Sequence, residues 1–233
     1  MSEAAANLYL GDEYARHNPT YHVEDSSWKA GHILSMIRRH GLEPKTICDV
    51  GCGAGEILRQ LQRSLPDETR LQGYEISPRA VALCRQRENE RLSFHCEDFA
   101  ATSTPKFDLL LCIDVFEHVE DYIGFLRALR ERATHKIFHI PLDLSVQSVL
   151  RRRPILDVRR QFGHLHYFTK ETALAALSDN DYDVIEWTYT AVGETATRLA
   201  ARVARLPRRL VSLVSRDLSV RLLGGHSLLV LAK

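Results

Sequence analysis

Residues 47–58 read Ile-Cys-Asp-Val-Gly-Cys-Gly-Ala-Gly-Glu-Ile-Leu, a hydrophobic strand signal that runs into Gly51-x-Gly53-x-Gly55 and then into helical spacing at Ile57, Leu58 and Leu61. Glycine tolerates positive φ and lets a ligand approach the backbone closely, so the segment predicts a strand, a ligand-binding turn and a helix. Twenty positions after Gly55 stands Glu75, at the end of a second strand signal, Leu71 to Ile76. A carboxylate there accepts from both hydroxyls of a ribose and repels a 2′-phosphate. A phosphate loop would need Gly-x4-Gly-Lys-Ser/Thr, and no lysine follows Gly55. A dinucleotide turn would place its third glycine one residue later. Glu56 would also sit badly with a pyrophosphate at the helix N-terminus. A ligand with a ribose and no phosphate removes the conflict.

S-adenosylmethionine is such a ligand. Asp49-Val-Gly51-Cys-Gly53-Ala-Gly55 resembles the first motif of class I S-adenosylmethionine-dependent methyltransferases of the small-molecule type. Glu75-Ile76-Ser77-Pro78 resembles that family's ribose-binding strand end, and Cys96-Glu97-Asp98-Phe99 its adenine-gripping exit from the third strand. The run from Phe107-Asp108 through Ile113-Asp114 to Glu117-His118 resembles the fourth-strand motif. Order and spacing agree from about Trp28 to Ile140, with a weaker match through Gly163 to Phe168 and on to the C-terminus. The resemblance implies an α/β, Rossmann-like sheet of seven mostly parallel strands, with helices on both faces and a C-terminal antiparallel strand.

The strand and helix signals alternate as that architecture requires. Strands are predicted at Thr46–Val50, Leu71–Ile76, Ser93–Cys96, Phe107–Ile113, Lys136–Ile140, Val184–Thr190 and Ser227–Ala232. Ser26-Ser27 reads as the cap of a first helix carrying Trp28, Ile33, Leu34 and Ile37, and Ser77-Pro78 as a cap with proline at the first helical position. The 233 residues suit one methyltransferase domain. Three segments are predicted as lid or acceptor-binding elements: an N-terminal arm, 1–26, and insertions at 142–167 and 191–225. The arm is rich in aromatics and histidine from Tyr14 to His22. The last insertion interleaves Arg198, Arg202, Arg205, Arg208, Arg209, Arg216 and Arg221 with Leu199, Val203, Leu206, Leu210, Leu213 and Val214. That is a basic amphipathic helical pair with Pro207 between its parts, a surface suited to peripheral contact with an anionic membrane or to a homodimer.

Thirty-one Lys and Arg nearly cancel thirty Asp and Glu, so no global field argues for nucleic acid. No stretch spans a bilayer and the N-terminus lacks signal-peptide character, which predicts a cytoplasmic protein. Five cysteines without close pairing read as reduced thiols; Cys48, Cys96 and Cys112 fall in strand signals as small buried residues. The spacing of Cys48 and Cys52 is not that of a zinc knuckle, and no metal is expected.

The resemblance assigns the donor site. Asp49, Gly51, Cys52, Gly53 and Gly55 form the floor under the aminoacyl and ribose parts, with the Cys52 side chain incidental; a turn cap is the alternative for Asp49. Glu75 takes the ribose. Asp98 accepts from the adenine amine, the Phe99 amide faces a ring nitrogen, and Ile76 packs on one face. The Ile113 carbonyl and Asp114 lie near the methionyl ammonium. Trp28 and Lys29 close over the methionyl end, unless Trp28 packs in the core and Lys29 is solvated. If the small-molecule acceptor is a hydroxyl, a base near neutral pKa assists, and the candidates are histidines. His118 follows the fourth strand, beside the donor. His139 ends the fifth strand, facing acceptor or core. His164 and His166 alternate with Leu165 and Tyr167, which predicts one shared face. The expected reaction is methyl transfer to a hydroxyl oxygen of a sugar, glycolipid, phenol or secondary metabolite. The competing readings are an RNA or protein methyltransferase using the arginines, and a donor-binding scaffold docked through its basic insertion.

Overall fold

In a computed structural model, the structure describes residues 16, 18–21, 23–103, 105–191 and 205–233. The elements in chain order are α1 (Val23–Arg39), β1 (Thr46–Val50), α2 (Glu56–Gln62), β2 (Arg70–Tyr74), α3 (Pro78–Cys84), β3 (Leu92–His95), β4 (Phe107–Ile113), α4 (Tyr122–Arg130) and β5 (Ala133–Pro141). They continue with α5 (Val146–Arg151), α6 (Arg153–Phe162), α7 (Lys170–Ser178), β6 (Val184–Ala191), α8 (Arg205–Val214), α9 (Arg216–Leu223) and β7 (His226–Ala232).

The strands form one seven-stranded sheet in the order β3-β2-β1-β4-β5-β7-β6. Pairing is parallel from β3 through β5, and β7 runs antiparallel to both β5 and β6. The alternation of side chains across a strand explains why β4 is apolar almost throughout. Leu110 and Cys112 enter one core layer with Val50, Phe138 and Val230. Leu109, Leu111 and Ile113 enter the other with Ile47, Ile137 and Leu231. Helices α4 and α7 cover the first layer through Leu126, Leu129 and Leu177, and helices α1 and α2 cover the second through Ile33, Met36, Leu58 and Leu61.

Because β1 is flanked by β2 on one side and β4 on the other, successive connections leave the sheet in opposite directions. That topological switch opens a crevice at the carboxyl ends of β1 and β4, where α/β sheets of this kind bind ligands. The glycine turn lies at that switch.

Several sequence expectations change. Ser26 and Ser27 do not cap α1; the helix starts at Val23, with Glu24 and Asp25 in the first turn, and Ser26 is buried within it. The arm therefore ends before residue 23. Cys48 and Cys112 are buried as expected, but Cys96 lies past the end of β3 and is exposed. The first insertion forms α5 and α6, broken at Arg152, whose φ of +59° leaves helical space. Pro207 does not separate the last two helices. It lies within α8, and the break falls at Ser215, whose side chain caps α9 by accepting from Leu218 N. Tyr14, His17, His22, Arg198, Leu199, Arg202 and Val203 lie outside the described residues.

Gly55 combines φ +74° with crowding: a Cβ there would lie 2.4 Å from the Phe94 ring. Strain and overpacking should together cost Gly55→Ala at least about 2 kcal/mol. Chemical denaturation should show a lower midpoint of that size, and a midpoint equal to wild type would contradict the packing described.

Candidate active site

The turn is built by β1 ending against β2. Gly51 N and Cys52 N both donate to Tyr74 O, at 2.8 and 3.1 Å, which folds the backbone over the end of the sheet. Gly51, Gly53 and Gly55 all take positive φ, +72°, +54° and +74°. A Cβ on Gly51 would stand 2.7 Å from Val115, so this face has no room for a side chain. A Cβ on Gly53 would stand 3.7 Å from the Tyr21 carbonyl oxygen, an ordinary contact distance. Tyr21 belongs to the arm, and its hydroxyl lies 3.4 Å from Ser77 Oγ.

Glu75 follows β2 and clamps the turn. Its two oxygens accept from Gly53 N and Ser77 N, each at 2.9 Å, and a carboxylate oxygen so engaged retains a second acceptor site. Burial raises its pKa, against the pull of those amides. Asp49 sits behind the turn, fully buried, and neither oxygen has a hydrogen-bond partner among the described residues. It therefore caps nothing. Burial, then the charge of Glu75, pushes its carboxyl up to about 8, against the opposing charge of Lys29. Glu56, the acid that argued against a pyrophosphate, is occupied: Arg59 and Arg87 donate to it at 2.9 Å, and with Gln60 they outweigh burial and lower its pKa.

Two cavities meet at this turn. One, of about 490 Å³, is bordered by Glu75, Ile76, Asp98, Phe99 and Val115. The other, of about 480 Å³, is bordered by Trp28, Lys29, Ile113, His139, Arg151 and His164. Tyr21, Gly51, Asp114 and His118 line both. Cys52 and Gly53 line the second cavity. The Asp98 carboxylate accepts from Ala100 N at 3.0 Å.

Asp114, at the junction, takes φ +55°, a conformation that an aspartate adopts more readily than most residues. One oxygen meets Lys29 Nζ at 2.7 Å and the other His139 Nδ1 at 2.5 Å. Burial would raise its pKa, but His139 and Lys29 together outweigh that and hold it well below the carboxylate range. His139 continues to Thr190 Oγ1 through Nε2, at 2.8 Å. Lys29 is thus not solvated, and both ring nitrogens of His139 are engaged. Trp28 packs edge-on against His139, with centroids 6.0 Å apart, while also lining the cavity.

The remaining histidines separate. His118 lies edge-on to His164, with centroids 4.8 Å apart, and its Nε2 is 3.8 Å from Glu117 Oε1. His164 Nδ1 pairs with Asp143 Oδ2 at 2.6 Å. His166 lines neither cavity; its Nε2 faces the carbonyls of Val119 and Glu120, at 2.9 and 3.1 Å. The shared face predicted for His164 and His166 does not form, because Leu165 N and His166 N both donate to Glu117 O and bend the segment. Glu117, Asp143, Thr190 and Arg208 are the site residues that pattern reading missed. Glu117 stood inside a quoted motif, whereas Arg208 reaches its cavity only because Gly225 has no side chain: a Cβ there would lie 2.7 Å from the guanidinium carbon.

The raised Asp49 carboxyl has a measurable consequence. In the unfolded chain it ionises near its ordinary pKa of 3.8, while the folded protein holds its proton to about 8. Folding is therefore penalised increasingly between those limits as pH rises. Asp49→Asn should gain thermal stability relative to wild type from pH 5 to pH 8, measured without ligand. A pH-independent difference would contradict the assignment.

A profile described as "Methyltransferase domain" matches residues 29–186, which is more than half of the chain. A ubiquinone biosynthesis O-methyltransferase of Aromatoleum aromaticum is 28% identical over 121 residues, 48% of this chain and 50% of that protein. A protein of the same name from Pseudomonas paraeruginosa is 30% identical over 114 residues, 45% of this chain and 49% of that one. The chain spans about half the length of these curated relatives. Among solved structures, the Haloferax volcanii methyltransferase in complex with the Trm112 activator matches with a TM-score of 0.64 at 16% identity, covering 96% of both chains. The magnesium protoporphyrin IX methyltransferase of Synechocystis, with bound SAH, matches with a TM-score of 0.61 at 18% identity, covering 88% of this chain and 82% of that one. With its sheet order, its glycine turn and its matched residues, the chain belongs to the methyltransferase domain family and has the class I, S-adenosylmethionine-dependent fold.

Proposed function

We propose that the protein moves the methyl group of S-adenosylmethionine to a hydroxyl oxygen of a small molecule. The observation that carries this reading is the pair of cavities that share Gly51, Asp114 and His118. One has the groups for an adenosine and the other is free for an acceptor, so the two meet where a methyl would cross. The donor's chemistry is an in-line displacement: the acceptor oxygen gains the methyl, its proton passes to water, and the carbon–sulfur electron pair stays on sulfur. The protein's contribution is mainly positioning, which supplies about 7–11 kcal/mol in favourable cases.

The residues fit that donor. Glu75 retains acceptor capacity for a sugar diol, Asp98 and the Phe99 amide border the adenine end, and Ile76 supplies an apolar wall. Lys29 and Asp114 together offer a cation and an anion for an amino-acid end. The described part of the arm, with Tyr21 over the turn, excludes water as a lid does. His118 and His164, with Glu117 behind them, stand where an acceptor hydroxyl must lose its proton. His139, held by Asp114 and Thr190, positions Asp114 instead. The named relatives act in ubiquinone biosynthesis, which favours a phenolic hydroxyl. Transfer from labelled S-adenosylmethionine to a series of catechols and polyprenylated phenols tests this; no methylated ether from any phenol would sink the acceptor class. Glu75→Gln removes one charged acceptor and should weaken calorimetric binding of the donor by about 10- to 100-fold. Unchanged affinity would refute the ribose assignment.

An acceptor carried in an anionic bilayer is favoured by the helices that border the second cavity. Arg151, Pro154, Val158, Arg208 and Leu223 line it, while Val149, Leu150, Leu213 and Val214 on the same group of helices face solvent. Leu213 is 83% and Val214 84% exposed. Arg152, at the break before α6, and Arg153, Arg159 and Arg160 on α6 are exposed, complementary to acidic headgroups. The protein should float with phosphatidylglycerol vesicles and not with neutral ones, and Leu213→Asp with Val214→Asp should abolish flotation. Equal flotation with both lipids, or by the double variant, would remove the proposal.

A further inference from the structure

Behind the junction of the two cavities lies a buried acid, Glu117, for which donor binding gives no reason. Glu117 is 0% exposed, and among the described residues neither of its carboxylate oxygens has a hydrogen-bond partner. Burying a carboxylate without a partner is costly, and such groups in native proteins are normally paired or bound to a metal. His118 and His164 present ring nitrogens to it, and one donor atom from each of the three residues lies within 4.8 Å of the others. Ligands of a tetrahedral zinc ion at about 2.0–2.1 Å stand about 3.4 Å apart, so the group closes on an ion by a shift of about an ångström or less. The Glu117–His118 pair is already at 3.8 Å.

Asp143 strengthens the case. It occupies Nδ1 of His164, at 2.6 Å, which leaves Nε2 as the ligating nitrogen. A histidine ligand whose second nitrogen is held by a carboxylate is the usual outer shell of a protein metal site, because it fixes the tautomer and the ring orientation. The rigid bend at Leu165 and His166, whose amides both donate to Glu117 O, ties the segment carrying His164 to the residue beside His118. Two imidazoles and one carboxylate leave at least one position open for a water or an acceptor oxygen, and that donor set suits zinc and similar first-row divalent ions better than magnesium.

We propose that Glu117, His118 and His164 form a binding site for one divalent transition-metal ion, oriented by Asp143 and opening towards the acceptor cavity. No spacing in the sequence pointed to it: 46 positions separate the two histidines, and the cysteines pointed away from a metal. If the protein is the O-methyltransferase proposed above, the ion takes the acceptor hydroxyl into its open position and lowers that group's pKa, so that the proton passes to water without a histidine base. That catalytic role rests on the functional reading; the binding site does not.

The test uses the full chain stripped with a chelator and dialysed against zinc chloride. Elemental analysis should find one zinc per wild-type chain and essentially none in Glu117→Gln or His164→Gln. Asp143→Asn, which leaves the three ligands in place, should weaken zinc affinity about 10- to 100-fold. Cobalt(II) should give visible ligand-field bands in wild type that Glu117→Gln lacks, while circular dichroism and S-adenosylhomocysteine titration of each variant confirm an intact fold. Absence of stoichiometric zinc in wild type, or wild-type affinity in folded Glu117→Gln and His164→Gln, would overturn the site. Methyl transfer that survives complete chelation would overturn the catalytic role alone. Loss of transfer on chelation with donor binding unchanged would support it.

Discussion

The carboxylate of Glu75, held between Gly53 N and Ser77 N, is the interaction on which the rest of the site depends. It joins the turn after β1 to the strand end after β2, so the two halves of the crevice cannot drift apart. A side chain long enough to bridge two backbone amides and still face a cavity must be a carboxylate. A turn tight enough to reach it must contain glycine, since three alternate positions of positive φ, at 51, 53 and 55, are costly for other residues. The parallel register of β1 with β2 and β4 then brings this clamp and Asp114 to the same cavity.

Around that clamp the protein keeps buried acids in contrasting states. Asp114 is compensated by Lys29 and His139 and held ionised. Asp49 has no hydrogen-bond partner among the described residues and is pushed up to about 8. Glu117, buried and next in line to Asp114, is raised by burial and by that neighbour's charge. A cation arriving beside acids held up in this way favours their ionised form, and a sulfonium with an ammonium is such a ligand. Stability is given up to keep Asp49 and Glu117 buried without compensation, as is common where function requires such groups.

The fold was legible because it follows from local pattern. Alternating apolar runs, a capping serine before Pro78 and glycines at a strand exit are read residue by residue, and all seven strands fall within a few positions of their expected places. The residues that the resemblance assigns to the donor come together for the same reason: Glu75, Ile76, Asp98 and Phe99 follow strand ends and border one cavity. The acceptor half was not legible. His164 and His166 look equivalent in sequence, yet two amides that share the Glu117 carbonyl turn them to different partners. Asp143, Thr190 and Arg208 reach the site through β5, β6 and α8, and no spacing encodes those long-range meetings. Ser26 shows the opposite failure. A good capping residue was read as a boundary, when the acids before it already began the helix.

The central claim is geometric: the adenosyl group lies on the Glu75 side and its sulfur faces the junction of Gly51, Asp114 and His118. A crystal structure of the protein with S-adenosylhomocysteine tests it most directly. The ribose hydroxyls should be found on the Glu75 carboxylate, the adenine beside Asp98, and the sulfur at the opening into the second cavity. Density for the nucleoside beyond that crevice, or a ribose turned away from Glu75, would contradict the account.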